Sequence, residues 1–256
     1  MLTKSLLAVL AMPLLGYAGV CALLYVKQRD LIYFPAATTV AADATDFSLR
    51  REDAVLRGWR LNPGKTRALI YFGGNAERLE FSRQEFASLF PERTVYLLSY
   101  RGYGASEGKP SEAALFGDSL ALFDQVKAEH RDGVAVIGRS LGSGVASHLA
   151  SQRPVERLAL VTPFYSLAAV AQSHYRWLPV SWLIRDKYDS HRYLQRYSGP
   201  LLVLRAGRDE VIPPADTDLL LASREPQPQV VGFPSADHDS ISEETGYREA
   251  LRDFMR

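Results

Sequence analysis

Three residues far apart in the chain have the types that together perform nucleophilic catalysis: Ser140, Asp209 and His238. A serine hydroxyl attacks poorly unless a base takes its proton, and a histidine can serve as that base when a carboxylate fixes its tautomer. Ser140 is also the centre of a G-x-S-x-G pentapeptide, Gly138–Gly142. This combination predicts cleavage or transfer of an acyl group through a covalent acyl-enzyme.

The pentapeptide alone is not specific, because a second copy centred on Ser106 occurs at 104–108. The predicted elements around the two serines separate them. Ser140 directly follows the apolar run "VAVIGR" and precedes a small, apolar segment that can start a helix, which predicts a tight strand-turn-helix elbow. Ser106 lies six residues past a predicted strand and is followed by Gly108 and Pro110, which predicts a loop. We therefore assign the nucleophile to Ser140.

Asp209 and His238 each lie just beyond a predicted strand. Asp209 follows the apolar run 201–205, and His238 follows the run 230–233. In open α/β sheets the functional groups gather at the carboxyl ends of the strands. The chain order serine, aspartate, histidine is the one that accompanies a G-x-S-x-G elbow.

The remaining histidines do not follow a predicted strand in this way, and we assign them structural or cap positions: His130, His148, His174 and His191. The run Asp237–Asp239 contains residue types that bind metals, but no second ligand set and no H-E-x-x-H pattern accompanies it. We therefore predict no metal and no cofactor, and expect the two aspartates beside His238 to shape its turn.

Apolar runs rich in β-branched and aromatic residues alternate with segments of helical periodicity, which predicts an α/β fold with a mostly parallel sheet flanked by helices. The predicted strands cover 46–49, 54–61, 68–72, 94–100, 134–137, 158–162, 201–205 and 230–233. The predicted helices cover 76–90, 111–129 and 141–152. The segment 165–199 is longer than an ordinary connection and predicts an inserted helical cap.

The first segment of the chain is strongly apolar. Residues 5–26 contain no charge, and Lys4 and Lys27 flank them. As a helix this segment would be ~33 Å long, close to the hydrocarbon thickness of a bilayer. We predict a membrane anchor at 1–29 and one catalytic domain at 30–256; a cleaved signal peptide is the alternative. Basic residues flank both ends, so the side of the membrane that holds the domain is undetermined.

The composition excludes two further classes. The chain of 256 residues has 30 basic and 29 acidic residues and a formal net charge of +1, without a basic block. A nucleic-acid partner is therefore not expected. A single cysteine, Cys21, excludes an intrachain disulfide framework.

Around the elbow the chain resembles the α/β-hydrolase-fold serine hydrolases, over residues 30 to 256. The segment "LIYFP" at 31–35 and the loop "SYRGYGASEG" at 99–108 are similar to the membrane-anchored branch with an N-terminal span. The resemblance implies Ser140 as nucleophile, Asp209 as acid and His238 as base.

By position, "YFGGNAE" at 71–77 resembles the loop that contributes to the oxyanion hole. The resemblance implies that the backbone N–H groups of Asn75 and Leu141 hold the oxyanion. Gly73 stands where many relatives have histidine, and Ser99 where an aspartate often begins the arginine-glycine loop. The bracing of these loops is therefore expected to differ.

The cap stretch 173–184 contains five large side chains that are expected to line an acyl pocket, to lie against a bilayer, or to form the core of the cap itself: Tyr175, Trp177, Leu178, Trp182 and Leu183. Together with the anchor they favour esters or thioesters of lipid-like acids as substrates. A serine peptidase of the same fold and a catalytically inactive membrane-tethered binding module are the alternatives. Acyl transfer to an acceptor other than water would use the same residues.

Overall fold

The computed structural model describes residues 2–256, with side chains from residue 11 onwards. Its centre is one eight-stranded sheet with the strand order β1-β2-β4-β3-β5-β6-β7-β8. The strands are β1 Phe47–Arg50, β2 Val55–Leu61, β3 Arg67–Phe72, β4 Arg93–Leu98, β5 Val134–Arg139, β6 Leu158–Val161, β7 Leu201–Ala206 and β8 Gln229–Phe233. All eight predicted strands are confirmed, with boundaries that differ by one or two residues.

The sheet is mostly parallel. Strand β2 runs antiparallel to both of its neighbours, β1 and β4, whereas every pair from β4 to β8 is parallel. From β3 the chain first moves outward to β4 and then returns to the other side of β3 as β5. A crevice forms where the strand order reverses in this way, and ligands of α/β proteins bind there. The loops after β3 and β5 therefore border the expected site.

Helices cover both faces of the sheet, which explains why the central strands are continuously apolar. After the N-terminal helix α1, Leu2–Ile32, the α-helices are α2 Leu79–Leu89, α3 Glu112–Glu129, α4 Leu141–Gln152, α5 Leu167–His174, α6 Val180–Leu183, α7 Ser190–Leu194, α8 Pro214–Ala222 and α9 Tyr247–Met255. Side chains of α3, α4 and α8 pack in one hydrophobic cluster, and those of α2 and α9 pack in a second cluster.

Helix boundaries follow local signals where such signals exist. Helix α3 begins after Ser111, whose Oγ accepts the N–H of Ala114 and so caps the helix. Helices α8 and α9 were not predicted. Two adjacent prolines, as at 213–214, are typical of a turn. The second of them, however, occupies the first helical position of α8, which proline tolerates.

The predicted cap at 165–199 contains three short helices, α5, α6 and α7. It leaves the sheet after β6 and returns to it as β7.

The predicted anchor segment belongs to a continuous helix, α1, which extends over Leu2–Ile32 and passes through Pro13. The predicted boundary between 29 and 30 therefore falls inside a helix. Among the residues that the structure describes, no helix combines the length and the apolar character needed to cross a membrane. The side chains of 5–10, which belong to the predicted span, lie outside the described part, so the span stays a prediction.

A buried carboxylate links α8 to the start of the cap. Asp216, in the first turn of α8, accepts the N–H of Tyr165 at 2.7 Å through Oδ2. Burial raises the pKa of the Asp216 carboxyl from 3.8 to about 6, and the Tyr165 hydrogen bond opposes this shift only in part. Between these two pH values the folded protein holds a proton that the unfolded chain has lost. The free energy of unfolding therefore falls as the pH rises through this interval.

We predict that Asp216→Asn stabilises the protein at pH 8 and has little effect at pH 4. Asparagine keeps an oxygen that accepts the Tyr165 N–H but cannot ionise, so the gain at pH 8 should be at most about 3 kcal/mol. Urea denaturation at the two pH values measures it. Asp43→Asn, at an exposed position, is the control. An equal gain for Asp216→Asn at both pH values would contradict the charge as the cause.

Candidate active site

Ser140 lies in a sharp turn between β5 and α4. Its backbone has φ 51° and ψ −120°, a conformation that residues with a side chain rarely adopt. A Cβ on Gly142 would overlap the carbonyl oxygen of Phe72, and one on Gly138 would overlap that of Gly142. Glycine at both positions therefore lets α4 pack against the sheet while the serine is held in a strained turn.

The structure brings the three predicted catalytic residues together. Ser140 Oγ lies 2.9 Å from Nε2 of His238, and Nδ1 of the same ring lies 2.8 Å from Oδ2 of Asp209. Both distances are those of hydrogen bonds. The residues come from the loops after β5, β7 and β8, and 98 residues separate the serine from the histidine. This arrangement can pass the serine proton to a histidine whose orientation the carboxylate fixes.

The carboxylate of Asp209 is itself held in place. Its Oδ1 accepts the N–H of Val211 at 2.9 Å and that of Ile212 at 2.7 Å. Its side chain is 3% exposed, and that of His238 is 12% exposed. Since two backbone donors occupy one oxygen, the other oxygen is directed at the imidazole.

Arg139 connects the serine turn to the histidine loop, a role that the sequence analysis did not identify. Its guanidinium donates to the carbonyl oxygens of His238 at 3.3 Å and Asp239 at 3.4 Å. Arg139 directly precedes the nucleophile, so the two halves of the proton-transfer pair are joined through one side chain. Arg139 occupies a position of the G-x-S-x-G pattern that any residue can take, so the sequence gives no local sign of its bonds to the His238 loop.

The two residues whose backbone N–H groups are predicted to hold the oxyanion, Asn75 and Leu141, line the same cavity as Ser140. Within the described part of the chain neither N–H has a hydrogen-bond acceptor. Leu141 is the first residue of α4, so its N–H is one that a helix leaves free, at the positive end of the helix dipole. These groups can therefore donate hydrogen bonds to a substrate oxygen.

The oxyanion loop is braced by side chains around its glycines. Glu77 accepts the N–H of Gly74 at 2.9 Å and the hydroxyl of Tyr71 at 2.8 Å. The hydroxyl of Tyr100 donates to the carbonyl of Gly73 at 2.8 Å. A tyrosine from the loop after β4 thus braces the backbone at Gly73.

Ser106, the centre of the second pentapeptide, is a brace of its own loop. Its Oγ donates to the carbonyl of Ser99 at 2.9 Å and accepts the N–H of Arg57 at 2.9 Å. These bonds join the loop after β4 to strand β2. Ser99 therefore participates in this brace through its backbone carbonyl.

The other four histidines have contacts away from Ser140. His148 stacks on Phe116 with ring centroids 3.8 Å apart, and burial lowers its pKa to about 4. The remaining three bond or stack elsewhere: His130 with Tyr96, His174 with the carbonyl of Val211, and His191 with Tyr165. Asp237 accepts the N–H groups of Asp239 and Ser240 and so shapes the turn after His238.

Ser140 opens into a cavity of about 230 Å³ between the cap and the carboxyl ends of the strands. Three of the five large cap residues singled out in the sequence line it: Tyr175, Leu178 and Leu183. The other two, Trp177 and Trp182, are 62% and 88% exposed. Part of the cap stretch 173–184 therefore lines the cavity, and the two tryptophans contribute an apolar surface on the outside of the cap.

A mostly parallel eight-stranded sheet, a strained serine between a strand and a helix, and a histidine within reach of that serine define the class of α/β hydrolases. Residues 67–193 match the family model Hydrolase_4, described as serine aminopeptidase, S33. Protein Rv2307c of Mycobacterium tuberculosis is 32% identical over 247 residues, which cover 91% of this chain and 88% of that protein. The chain belongs to the α/β-hydrolase family.

Two further proteins are similar. Lysophosphatidylserine lipase ABHD12 of Xenopus tropicalis is 34% identical over 167 residues, which cover 57% of this chain and 43% of that protein. The crystal structure of the Pyrococcus furiosus esterase Pf2001 superposes with a TM-score of 0.66 at 17% identity, covering 85% of this chain and 97% of the esterase. At that identity the likeness shows the fold alone.

Proposed function

We propose that this protein is a serine hydrolase that cleaves carboxylic esters or thioesters of lipid-like acids through an acyl-enzyme. One observation carries the proposal: a serine, a histidine and a carboxylate are joined by bonds of 2.9 and 2.8 Å at the wall of an apolar cavity. In this proposal Ser140 is the nucleophile, His238 the general base and Asp209 the residue that orients the base.

The first half of the reaction follows from these positions. His238 takes the proton of Ser140 through Nε2 as Oγ forms a bond to the substrate carbonyl carbon. The carbonyl oxygen gains negative charge, which the N–H groups of Asn75 and Leu141 would stabilise by about 3–4 kcal/mol each. The imidazolium then gives its proton to the leaving oxygen or sulfur as that bond breaks.

The second half repeats the steps with water. His238 takes a proton from water, and the oxygen of that water attacks the acyl carbon. The bond to Ser140 Oγ breaks, the serine recovers the proton from the imidazolium, and the acid leaves. Asp209 stays ionised throughout and stabilises the imidazolium in both halves.

The lining of the cavity favours an ester over a peptide. Among the described residues none that lines the cavity carries a charge, and most are aliphatic or aromatic. An aminopeptidase must hold a protonated amine, which is costly to bury without a partner carboxylate. An apolar cavity of about 150 Å³ already holds a benzene-sized ligand, so a cavity of this volume accommodates a larger apolar group. The name of the similar lysophosphatidylserine lipase points to the same substrate class.

We also propose that the protein works at a membrane, with α1 as its anchor. Six large apolar side chains of the described part of α1 are more than half exposed: Met12, Leu14, Leu15, Leu23, Val26 and Leu31. The exposed Trp177 and Trp182 lie on the neighbouring cap, and the hydroxyl of Tyr17 donates to the carbonyl of Trp177 at 2.9 Å. Apolar surface of this extent marks an interaction site, and tryptophan is enriched where membranes meet water.

A substrate panel tests the proposed function. We predict that the full chain hydrolyses p-nitrophenyl esters and acyl-coenzyme A thioesters, and an aminoacyl p-nitroanilide at least about 100-fold more slowly. The reason is that an unpaired ammonium in the cavity would cost about 3 kcal/mol or more. Initial rates are measured on membrane and soluble fractions of the expressing cells.

Two outcomes would contradict this proposal. Faster cleavage of the aminoacyl anilide than of every ester would identify a peptidase, and turnover of none of the three classes would contradict a hydrolase acting on acyl compounds. Activity confined to the soluble fraction would contradict the membrane location and leave the chemistry in place.

A further inference from the structure

We infer that the last turns of α1, residues 24–32, form one wall of the substrate pocket and determine the length of the apolar chain that it accepts. This inference rests on the proposed function, because it names the substrate feature that the same site would read. It gives α1 a role in specificity in addition to that of an anchor.

Four residues of α1 line the cavity that contains Ser140: Leu24, Gln28, Leu31 and Ile32. Apolar residues of the cap line the same cavity: Val170, Leu178, Val180 and Leu183. An apolar chain bound at Ser140 would therefore lie between α1 and the cap. Each further methylene of such a chain that is buried there favours binding, so the space between α1 and the cap sets the preferred length.

Gln28 fixes the distance between the two walls. Its amide nitrogen donates to the carbonyl of Leu183 at 3.1 Å, and its amide oxygen accepts the N–H of Arg185 at 2.6 Å. The residue is 9% exposed. These two bonds, one donated to the cap backbone and one accepted from it two residues further on, hold α1 in one register against α6.

A buried carboxylate strengthens this connection. Asp186 accepts Nε of Arg29 at 3.0 Å and the hydroxyl of Tyr33 at 3.0 Å, and Tyr33 in turn bonds the hydroxyl of Tyr188 at 2.8 Å. Arg29 and Tyr33 follow Gln28 in the chain, and Asp186 and Tyr188 follow Arg185 in the cap. The end of α1 and the cap are therefore joined over about two helical turns.

The same end of α1 contacts the predicted oxyanion loop. Nδ2 of Asn75 donates to the carbonyl of Ile32, the last residue of α1, at 3.1 Å. A helix leaves its last carbonyls without internal partners, so the side-chain amide occupies a free acceptor. One hydrogen bond thus connects the end of α1, which forms a wall of the pocket, to Asn75, whose backbone N–H is predicted to hold the oxyanion.

The mouth of the cavity is apolar. Three of its lining residues are also about half exposed, Leu31, Tyr175 and Val211. An opening with such a rim admits an apolar chain without an obligatory polar contact. The substrate class that fits is an ester with a single extended acyl chain, which enters beside α1.

Leu24→Trp tests the inference, with Leu23→Trp as its matched control. Leu24 lines the cavity, whereas the adjacent Leu23 is 62% exposed. Tryptophan at 24 should occupy the far part of the pocket and lower kcat/KM for p-nitrophenyl laurate relative to p-nitrophenyl butyrate by about 10-fold or more. Leu23→Trp should keep the wild-type ratio. An unchanged ratio in Leu24→Trp would overturn the inference.

A second variant and a binding measurement keep the test decisive. Leu24→Ala enlarges the pocket and should shift the preference toward p-nitrophenyl palmitate, so it decides the matter if Leu24→Trp does not fold. In a Ser140→Ala background, binding of the fluorescent fatty acid cis-parinaric acid should weaken with Leu24→Trp and not with Leu23→Trp. Equal binding of the fatty acid by the Leu24→Trp and Leu23→Trp proteins would overturn the inference, whether or not the wild type hydrolyses an ester. Absence of ester hydrolysis by the wild type would contradict only the proposed function.

Discussion

Ser140→Ala is expected to lower kcat for p-nitrophenyl butyrate by a factor of about 10⁶, the loss seen when the nucleophile of another serine hydrolase is removed. The Oγ of Ser140 has His238 as its partner at 2.9 Å, so the substitution removes the attacking atom and little else. The backbone bond from Ser143 N–H to the carbonyl of Ser140 is unaffected. Initial rates and covalent labelling by a fluorophosphonate measure the effect.

Ser106→Ala is the matched control, because Ser106 is the centre of the other G-x-S-x-G pentapeptide. Its hydroxyl braces the loop after β4, so the variant should lose about 1 kcal/mol of stability and remain labelled. Labelling of the wild type and both variants to the same extent would refute the assignment of Ser140. Loss of labelling in Ser106→Ala alone would show that the nucleophile is Ser106, in the loop after β4.

Asp209→Asn is expected to lower kcat by about 10⁴-fold while the protein stays folded. The N–H groups of Val211 and Ile212 hold Oδ1 of Asp209, so the asparagine oxygen should take that position. Its NH₂ group then faces Nδ1 of His238, which must accept. A ring that accepts through Nδ1 carries its proton on Nε2 and cannot take one from Ser140.

Glu210→Gln removes the same charge from the adjacent, exposed position and should leave kcat within about two-fold of wild type, because surface charges contribute little. Rates with p-nitrophenyl butyrate for the two variants give the comparison. Thermal unfolding shows that both remain folded. A loss in Glu210→Gln as large as that in Asp209→Asn would show that charge near the loop, and not the tautomer of His238, determines the rate.

The sequence predicted the strands well because parallel strands covered on both faces need continuous apolar runs. It predicted α3 from the cap at Ser111 and missed α8, since a proline pair there has the pattern of a turn. The candidate residues Ser140, Asp209 and His238 were predicted from their positions after strands. The chain folds so that β5, β7 and β8 end at one edge of the sheet, and the three residues lie within hydrogen-bonding distance there.

The sequence by itself determined the order of the elements, the class of fold and the residues with the chemistry for acyl transfer. These depend on local patterns: hydrophobic period, turn residues and the spacing of glycines around Ser140. Tertiary structure alone decided that Arg139 bonds the histidine loop, that Gln28 joins α1 to the cap, and that Leu24 lines the pocket. Such contacts join residues about 100 to 160 positions apart, and no periodicity in the chain encodes which face of α1 meets the cap.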